Sequence, residues 1–383
     1  MRVAVLTTGR QDWGILRSVC VALRDDPDFD LRLLLGGMHC SDRFGRTETL
    51  VRADGFSPSE TLAWIDDGGG DDGDATAAHQ SARALSAVAD ALRRQAPGCL
   101  LVVGDRFETI AAVVAATLCL VPVVHLHGGE DTEGAFDNSF RNAITKMSHL
   151  HLVSHPDYAQ RIAAMGEDPA TIHVMGSPAL DNLQRTDLAT RAELEELLGM
   201  KLAAPVVVVT MHPTTLSAAA GDEIGAVVDA MAAVPATYVI TMPNSDPGNE
   251  AVREALRRAA AAPGRKAVEA LGERRYWGLL RLADAVLGNS SSGVIEAPAL
   301  ALPTVNVGDR QRGRIRGPGV IDVTADAGAI AKALQTALAP AFRQRVRAAE
   351  PPFLPGNAGA RVLSILRGWS PPVPPRKVSV FQS

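Results

Sequence analysis

Short apolar runs, unbroken by polar residues, punctuate this chain at regular intervals, and each is followed by a longer amphipathic stretch. In the first half they fall at residues 3–6, 31–35, 100–103, 121–126, 150–153 and 172–175. A strand with one wet face alternates apolar and polar residues. A run that is apolar throughout must be buried on both faces, as in a parallel sheet covered by helices on either side. Between the runs, Ala82, Leu85, Val88, Ala89 and Leu92 follow the 3-and-4 spacing of a helix that stops before Pro97-Gly98. The pattern restarts at 206–210, 238–241, 285–287, 304–307 and 320–323. The expected fold class is therefore α/β, with two Rossmann-like doubly wound domains. With 383 residues there is chain enough for two cores. The expected boundaries are 1–178, 179–355 and a C-terminal segment, 356–383, that crosses back to the first domain. The hinge is read at Gly176-Ser177-Pro178 and the charged stretch 187–201. Open α/β sheets bind ligands beyond their strand C-termini, so two such domains are expected to face a cleft.

Charge and composition exclude several functions. Lys plus Arg number 38 against 43 Asp plus Glu, a formal charge of -5, so no global basic field gathers nucleic acid or an anionic membrane. At 46% hydrophobic and 21% charged residues the chain reads as globular. Its longest apolar run, 111–124, is broken by Pro122 and falls short of the roughly 18 residues of a membrane span. The first ten residues read as a strand rather than a signal peptide, so the expected location is the cytoplasm. Cys20, Cys40, Cys99 and Cys119 stand singly, which suggests neither zinc nor a disulfide framework. The acidic, glycine-rich stretch 66–74 is too polar to pack and reads as a mobile loop.

Chemistry concentrates where strands end. Thr7 to Asp12 closes the first strand and opens a helix, a usual place for a phosphate or sugar contact, with Arg10 and Asp12 as the side chains. Neither G-x-G-x-x-G nor the phosphate loop G-x-x-x-x-G-K-S/T is present, which argues against a nicotinamide enzyme or an ATPase. Asp105, in Gly104-Asp105-Arg106-Phe107-Glu108, reads either as a helix cap or as a site residue. The next strand runs into a loop holding His125, His127, Gly128, Gly129, Glu130, Asp131 and Glu133, where the glycines let backbone approach a ligand. No calcium pattern is present, and no metal is expected. Asp137 and Arg141 are spaced i, i+4 and share a helix face, where a surface ion pair is the simplest expectation. In the second half His212 and Asn244 follow strands. Gly288 to Glu296 crowds hydroxyls at what reads as a helix start, with Ser290, Ser291, Ser292 and Gly293 forming a diphosphate cradle. Glu296 lies where ribose hydroxyls would fall, and Arg310 and Arg312 add positive charge.

Taken in order over residues 2–316, these loops, with Ala143-Ile144-Thr145-Lys146, His212-Pro213 and Pro243-Asn244, resemble those of the hydrolysing UDP-N-acetylglucosamine 2-epimerases. The resemblance implies a glycosyltransferase-B type fold, a UDP-sugar substrate, a homodimer and no cofactor. It implies that Ser290, Ser291 and Arg10 hold phosphates and Glu296 the ribose, while Asp105, Asp137, Arg141 and His212 face the sugar. Inversion at carbon 2 needs groups on both ring faces, and loss of that weakly acidic proton requires the bond to UDP to break as well. A 2-acetamidoglucal results, and water then adds at carbon 1. Some members carry a glutamate where His127 stands, and many have a second acid at Asn138 and a histidine at Asn142. The second proton-transfer group is thus open among Glu130, Glu133, Asp137 and His127, with Asp137 favoured. A modified 2-acetamido sugar is a further expectation. The alternatives are a non-hydrolysing epimerase and a glycosyltransferase of the same fold.

Overall fold

The computed structural model describes residues 1–67, 76–131, 137–213, 220–243, 248–353 and 356–377. Two compact units emerge. The first runs through β1 (Arg2–Thr7), α1 (Arg10–Arg24), β2 (Asp30–Gly36), α2 (Glu48–Ala53), β3 (Glu60–Leu62), α3 (Thr76–Gln95), β4 (Cys99–Val103) and α4 (Phe107–Leu118). It continues through β5 (Val123–Leu126), α5 (Asp137–Met147), β6 (Leu150–Val153), α6 (Pro156–Ala164) and β7 (Ile172–Val174). The second holds α7 (Arg191–Leu198), β8 (Val206–Thr210), α8 (Ala220–Ala233), β9 (Thr237–Thr241), α9 (Asn249–Ala259), β10 (Arg265–Val268) and α10 (Gly272–Leu282). After these come β11 (Ala285–Gly288), α11 (Glu296–Ala299), β12 (Thr304–Val307), β13 (Val320–Val323), α12 (Ala327–Leu338) and α13 (Pro340–Arg347). The chain then returns to the first unit as α14 (Ala358–Gly368).

In the first unit the strand order is β3-β2-β1-β4-β5-β6-β7, all parallel. Successive residues of each strand feed opposite cores. Val3, Val5, Leu33, Leu35, Leu101 and Val103 pack on α1. Ala4, Leu6, Leu34, Leu100 and Val102 pack on α3 and α4. Helix α14 adds Val362 and Leu366 to the α1 side. It crosses α1 so closely that a Cβ on Gly359 would lie 2.7 Å from the Ser18 carbonyl oxygen. The Asp181 carboxylate accepts from the α14 amides of Ala358 (3.0 Å) and Gly359 (2.8 Å), capping the helix from a distant point of the chain.

The second sheet has the order β10-β9-β8-β11-β12-β13, again parallel. One core lies between alternate strand residues, Val207, Val209, Ile240, Leu287 and Val305 among them, and helices α8, α9 and α12.

Two expectations change in detail. The run 121–126 begins its strand only at Val123, because Pro122 has no amide to donate, although its carbonyl accepts from Leu100 (2.8 Å). β3 and β10 were not among the apolar runs. Among the described residues no helix is long and apolar enough to cross a membrane. The loop expectation at 66–74 lies mostly outside the described residues, but Asp67 accepts from the Ser41 hydroxyl and the Asp42 amide.

Candidate active site

Each sheet reverses its winding once, between β1 and β4 in the first unit and between β8 and β11 in the second. Ligands of open α/β sheets bind at such switch points. The residues singled out above follow these strands or their neighbours β5 and β12, or lie on α5.

After β1, the Thr8 amide and hydroxyl both donate to one Asp12 oxygen, at 2.8 and 2.6 Å. Asp12 is buried, and burial raises its carboxyl above the ordinary value while the Arg106 charge pulls the other way. Its visible work is to close this turn and fix the start of α1. Arg10, the first residue of that helix, is half-buried.

After β4 the structure corrects the cap expectation. Arg106 occupies the N-cap of α4 without a side-chain cap, and Asp105 turns instead to Arg141, which donates to it from Nη2. Arg141 is 1% exposed, so its guanidinium is buried and not on the surface, where its i, i+4 spacing to Asp137 had placed it. Its Nη1 donates to the His127 carbonyl (2.7 Å) and lies 3.7 Å from Glu130 Oε2. Arg106 forks onto Glu108 at 3.1 and 3.0 Å. Glu108 is fully buried, and burial pushes its carboxyl up against the opposing pull of Arg106.

Two histidines at the end of β5, one within the strand and one just beyond it, have different work. His125 is buried, which brings its ring down to about 3, so it stays neutral and donates from Nε2 to the Gly104 carbonyl (2.8 Å). That bond ties the tip of β4 to β5. His127 sits at φ 63, in the left-handed region, with its amide on the Leu152 carbonyl (3.0 Å). Its Nδ1 is 2.5 Å from Glu130 Oε1, which also accepts from the Ser154 hydroxyl (3.0 Å). The adjoining glycines make room for close packing. A Cβ on Gly129 would lie 2.5 Å from the Tyr158 carbonyl, and one on Gly128 3.1 Å from Ile162.

In the second unit Asn289 holds the switch point. Its Oδ1 accepts from the His212 amide (2.8 Å), its Nδ2 donates to the His212 carbonyl (2.9 Å), and its own carbonyl accepts from Gln311 (2.8 Å) and Arg310 (3.3 Å). The expected helix start at 288–296 is corrected to a 3-10 turn, Ser291–Gly293, followed by the four-residue α11. So short a helix brings little macrodipole, and hydroxyls and amides must carry any anion contact. Ser290 caps the turn by accepting from the Ser292 amide (3.4 Å), and Ser292 bonds Tyr276 (2.5 Å). Ser290, Ser291 and Glu296 are half-buried. Gly293 admits Thr304, whose methyl would lie 2.7 Å from a Cβ there.

Asp105, His127, Glu130 and Arg141 thus share one network in the first unit. His212, Ser290 and Arg310 gather around Asn289 in the second. Glu133 and Asn244 lie outside the described residues, and of Asp137 the backbone alone is described, as the first residue of α5. Asn142 is exposed. Sequence reasoning passed over Ser154, Asn289 and Gln311. Only Asn289, beside the serines, had a local signal.

Among the described residues no group of three or more His, Cys, Asp or Glu is placed to hold a metal. Residues 21–367 match the family described as UDP-N-acetylglucosamine 2-epimerase. The chain is 33% identical to the UDP-N,N'-diacetylbacillosamine 2-epimerase (hydrolyzing) of Legionella pneumophila, over 88% of this chain and 89% of that protein. It is 32% identical to the GDP/UDP-N,N'-diacetylbacillosamine 2-epimerase (hydrolyzing) of Campylobacter jejuni, over 84% of each. The fold matches that of the Neisseria meningitidis UDP-GlcNAc 2-epimerase bound to UDP-GlcNAc, with TM-score 0.80 at 18% identity over 96% of this chain and 100% of that one. Two parallel α/β units of glycosyltransferase-B type agree with the sequence match: the chain belongs to the UDP-N-acetylglucosamine 2-epimerase family.

Proposed function

We propose that this protein is a hydrolysing 2-epimerase. It converts a UDP-2-acetamido sugar to UDP and the free sugar inverted at carbon 2, through a 2-acetamidoglucal. The observation that carries the reading is the network at the tips of β4 and β5, where one buried guanidinium holds the Asp105 carboxylate and the His127 backbone together. A carboxylate fixed in this way is suited to proton transfer at carbon 2. The second group comes from Glu130, Glu133, Asp137 or His127. Identity of about a third to two hydrolysing epimerases favours release of free sugar over a UDP-sugar product. Their names favour a sugar with a second acetamido group.

In this reading Ser290, Ser291, Ser292, Gly293, Arg310, Arg10 and His212 stabilise the departing diphosphate, and Glu296 takes the ribose. Residues 1–178 supply the sugar side and 179–355 the nucleotide side, in a cytoplasmic homodimer. Neither metal nor redox cofactor takes part, so activity should survive EDTA. Loss on chelation with recovery on adding magnesium would remove this clause.

The test supplies UDP-N-acetylglucosamine and UDP-N,N'-diacetylbacillosamine separately, in deuterated water and without an acceptor. UDP and a free sugar carrying one deuterium at carbon 2 are expected, with faster turnover of the diacetylated substrate. UDP released only on adding an acceptor sugar would mean a glycosyltransferase, and an epimerised UDP-sugar a non-hydrolysing enzyme.

A further inference from the structure

The geometry points to a division of labour inside the first unit's network: His127 removes the carbon 2 proton, and Glu130 is the residue that positions it. This assignment rests on the epimerase reading above. Glu130 is 3% exposed. Its Oε1 already serves both His127 Nδ1 and the Ser154 hydroxyl, and its Oε2 faces Arg141. To reach a sugar, Glu130 would have to leave these partners. An oxygen that accepts from Ser154 beside a guanidinium acts as acceptor toward the ring as well, so the imidazole proton sits on Nδ1. The lone pair is then on Nε2. That atom is buried and has no hydrogen-bond partner among the described residues. A buried ring nitrogen left so is costly, and it lies on a residue held at φ 63, a strained backbone for histidine. Both costs fit a group whose partner arrives with the substrate.

The step balances as follows. Nε2 takes the carbon 2 proton, that C–H electron pair forms the carbon 1–carbon 2 double bond, and the carbon 1–oxygen pair leaves with UDP. The Glu130 carboxylate stabilises the imidazolium that forms. Water then adds its oxygen at carbon 1. The Asp105 carboxylate takes a proton from that water and delivers one to carbon 2 from the opposite face, while His127 returns its proton to solvent.

The two halves can be assayed apart, as UDP release from the substrate and as hydration of supplied 2-acetamidoglucal in the presence of UDP. Glu130→Gln keeps the shape of the side chain, and His127→Asn keeps a residue that tolerates the left-handed backbone. Each should lower UDP release by about 10²- to 10³-fold and glycal hydration by less than about 10-fold, with the UDP-induced rise in Tm intact. If Glu130→Gln does not fold, Ser154→Ala removes one of the two bonds on Oε1 and should lower UDP release alone, by about 5-fold. Equal loss in both halves, or unchanged UDP release, overturns the assignment. A wild-type protein that releases no UDP from either sugar nucleotide sinks the epimerase reading instead. The positioning role is then decided by nitrogen NMR of histidine-labelled protein: a protonated Nδ1 at His127 that is lost in Glu130→Gln supports it, and a protonated Nε2 overturns it.

Discussion

At the scale of single residues, the placement of Asp105 changes what its substitution would measure. Read as a helix cap, Asp105→Asn would be close to neutral, because Asn caps as well as Asp, and would leave turnover largely intact. Paired with the buried Arg141, the same change takes one carboxylate from a guanidinium that is 1% exposed, and leaves it the His127 carbonyl and Glu130. Weakening one charged hydrogen bond of such a group costs about 1.5 to 3 kcal/mol. Asp105→Asn should therefore lower both Tm and kcat, the latter by about 10²- to 10⁴-fold, while UDP still binds. Near-normal turnover with a lowered Tm would make Asp105 structural. Gly288 makes a sharper case. It pairs with Thr210 in register at φ 139, and a Cβ there would lie 2.0 Å from the Thr210 carbonyl oxygen. The close atoms are all backbone of Thr210, which leaves no flexible side chain to yield. Gly288→Ala should fall at the severe end of single substitutions, about 4 kcal/mol or more, in thermal unfolding. A Tm within two or three degrees of wild type would mean that the β8–β11 contact is looser than this geometry.

At the scale of elements, a lysine ties the chain beyond α14 back to the first unit. Lys377 donates to the carbonyls of Thr145 (2.8 Å) and Ser148 (2.5 Å) at the end of α5, and meets Glu167 at 2.6 Å. Glu167 also receives Lys146 (2.6 Å) and His151 (3.1 Å). Burial alone would push the Glu167 carboxyl up, but the bonds from His151, Lys146 and Lys377 outweigh it and bring it down to about 2. The folded value thus lies below the ordinary 4.5, so the stability it brings is present above that value and is lost as pH falls toward 2. Glu167→Gln should lower Tm near neutrality and converge on wild type near pH 2. A gap that stays constant with pH would assign the loss to packing. This network also explains why part of the fold was hard to read. Glu167 and Lys377 are 210 residues apart by number, and no local pattern joins them. Interior strands such as β8 announced themselves, because burial on both faces forces continuous apolar sequence. The missed strands, β3 and β10, are edges of their sheets, and Arg265-Lys266-Ala267-Val268 is not buried. The site divides in the same way. Strand-tip positions were legible from order along the chain, whereas the Asp105–Arg141 pair joins β4 to α5 and depends on how the helix is rotated.

At the scale of the whole molecule, the proposed division between units predicts where a ligand acts. UDP lacks the sugar, so it should engage the second unit's residues and, in the first unit, Arg10 alone. A ligand bound only by the native state adds RT ln(1 + [L]/Kd), about 2.7 kcal/mol at a hundredfold excess over Kd. Two units need not unfold together, and a single Tm then blurs which of them gained. Hydrogen exchange resolves this, because protection is read amide by amide. With UDP, the amides at the ends of β8 and β11 and in the Ser291–Gly293 turn should gain protection, and those at the ends of β4 and β5 should change little. Replacing Ser290 and Ser291 by Ala removes the hydroxyls but not the turn amides, so most of the Tm rise should vanish. Asn289→Ala should do the same by a different route, since it frees the His212 backbone from its paired bonds at 2.8 and 2.9 Å. If the serine double variant keeps the full UDP effect, or if protection appears around Asp105 and His127 instead, the diphosphate does not sit at the second switch point.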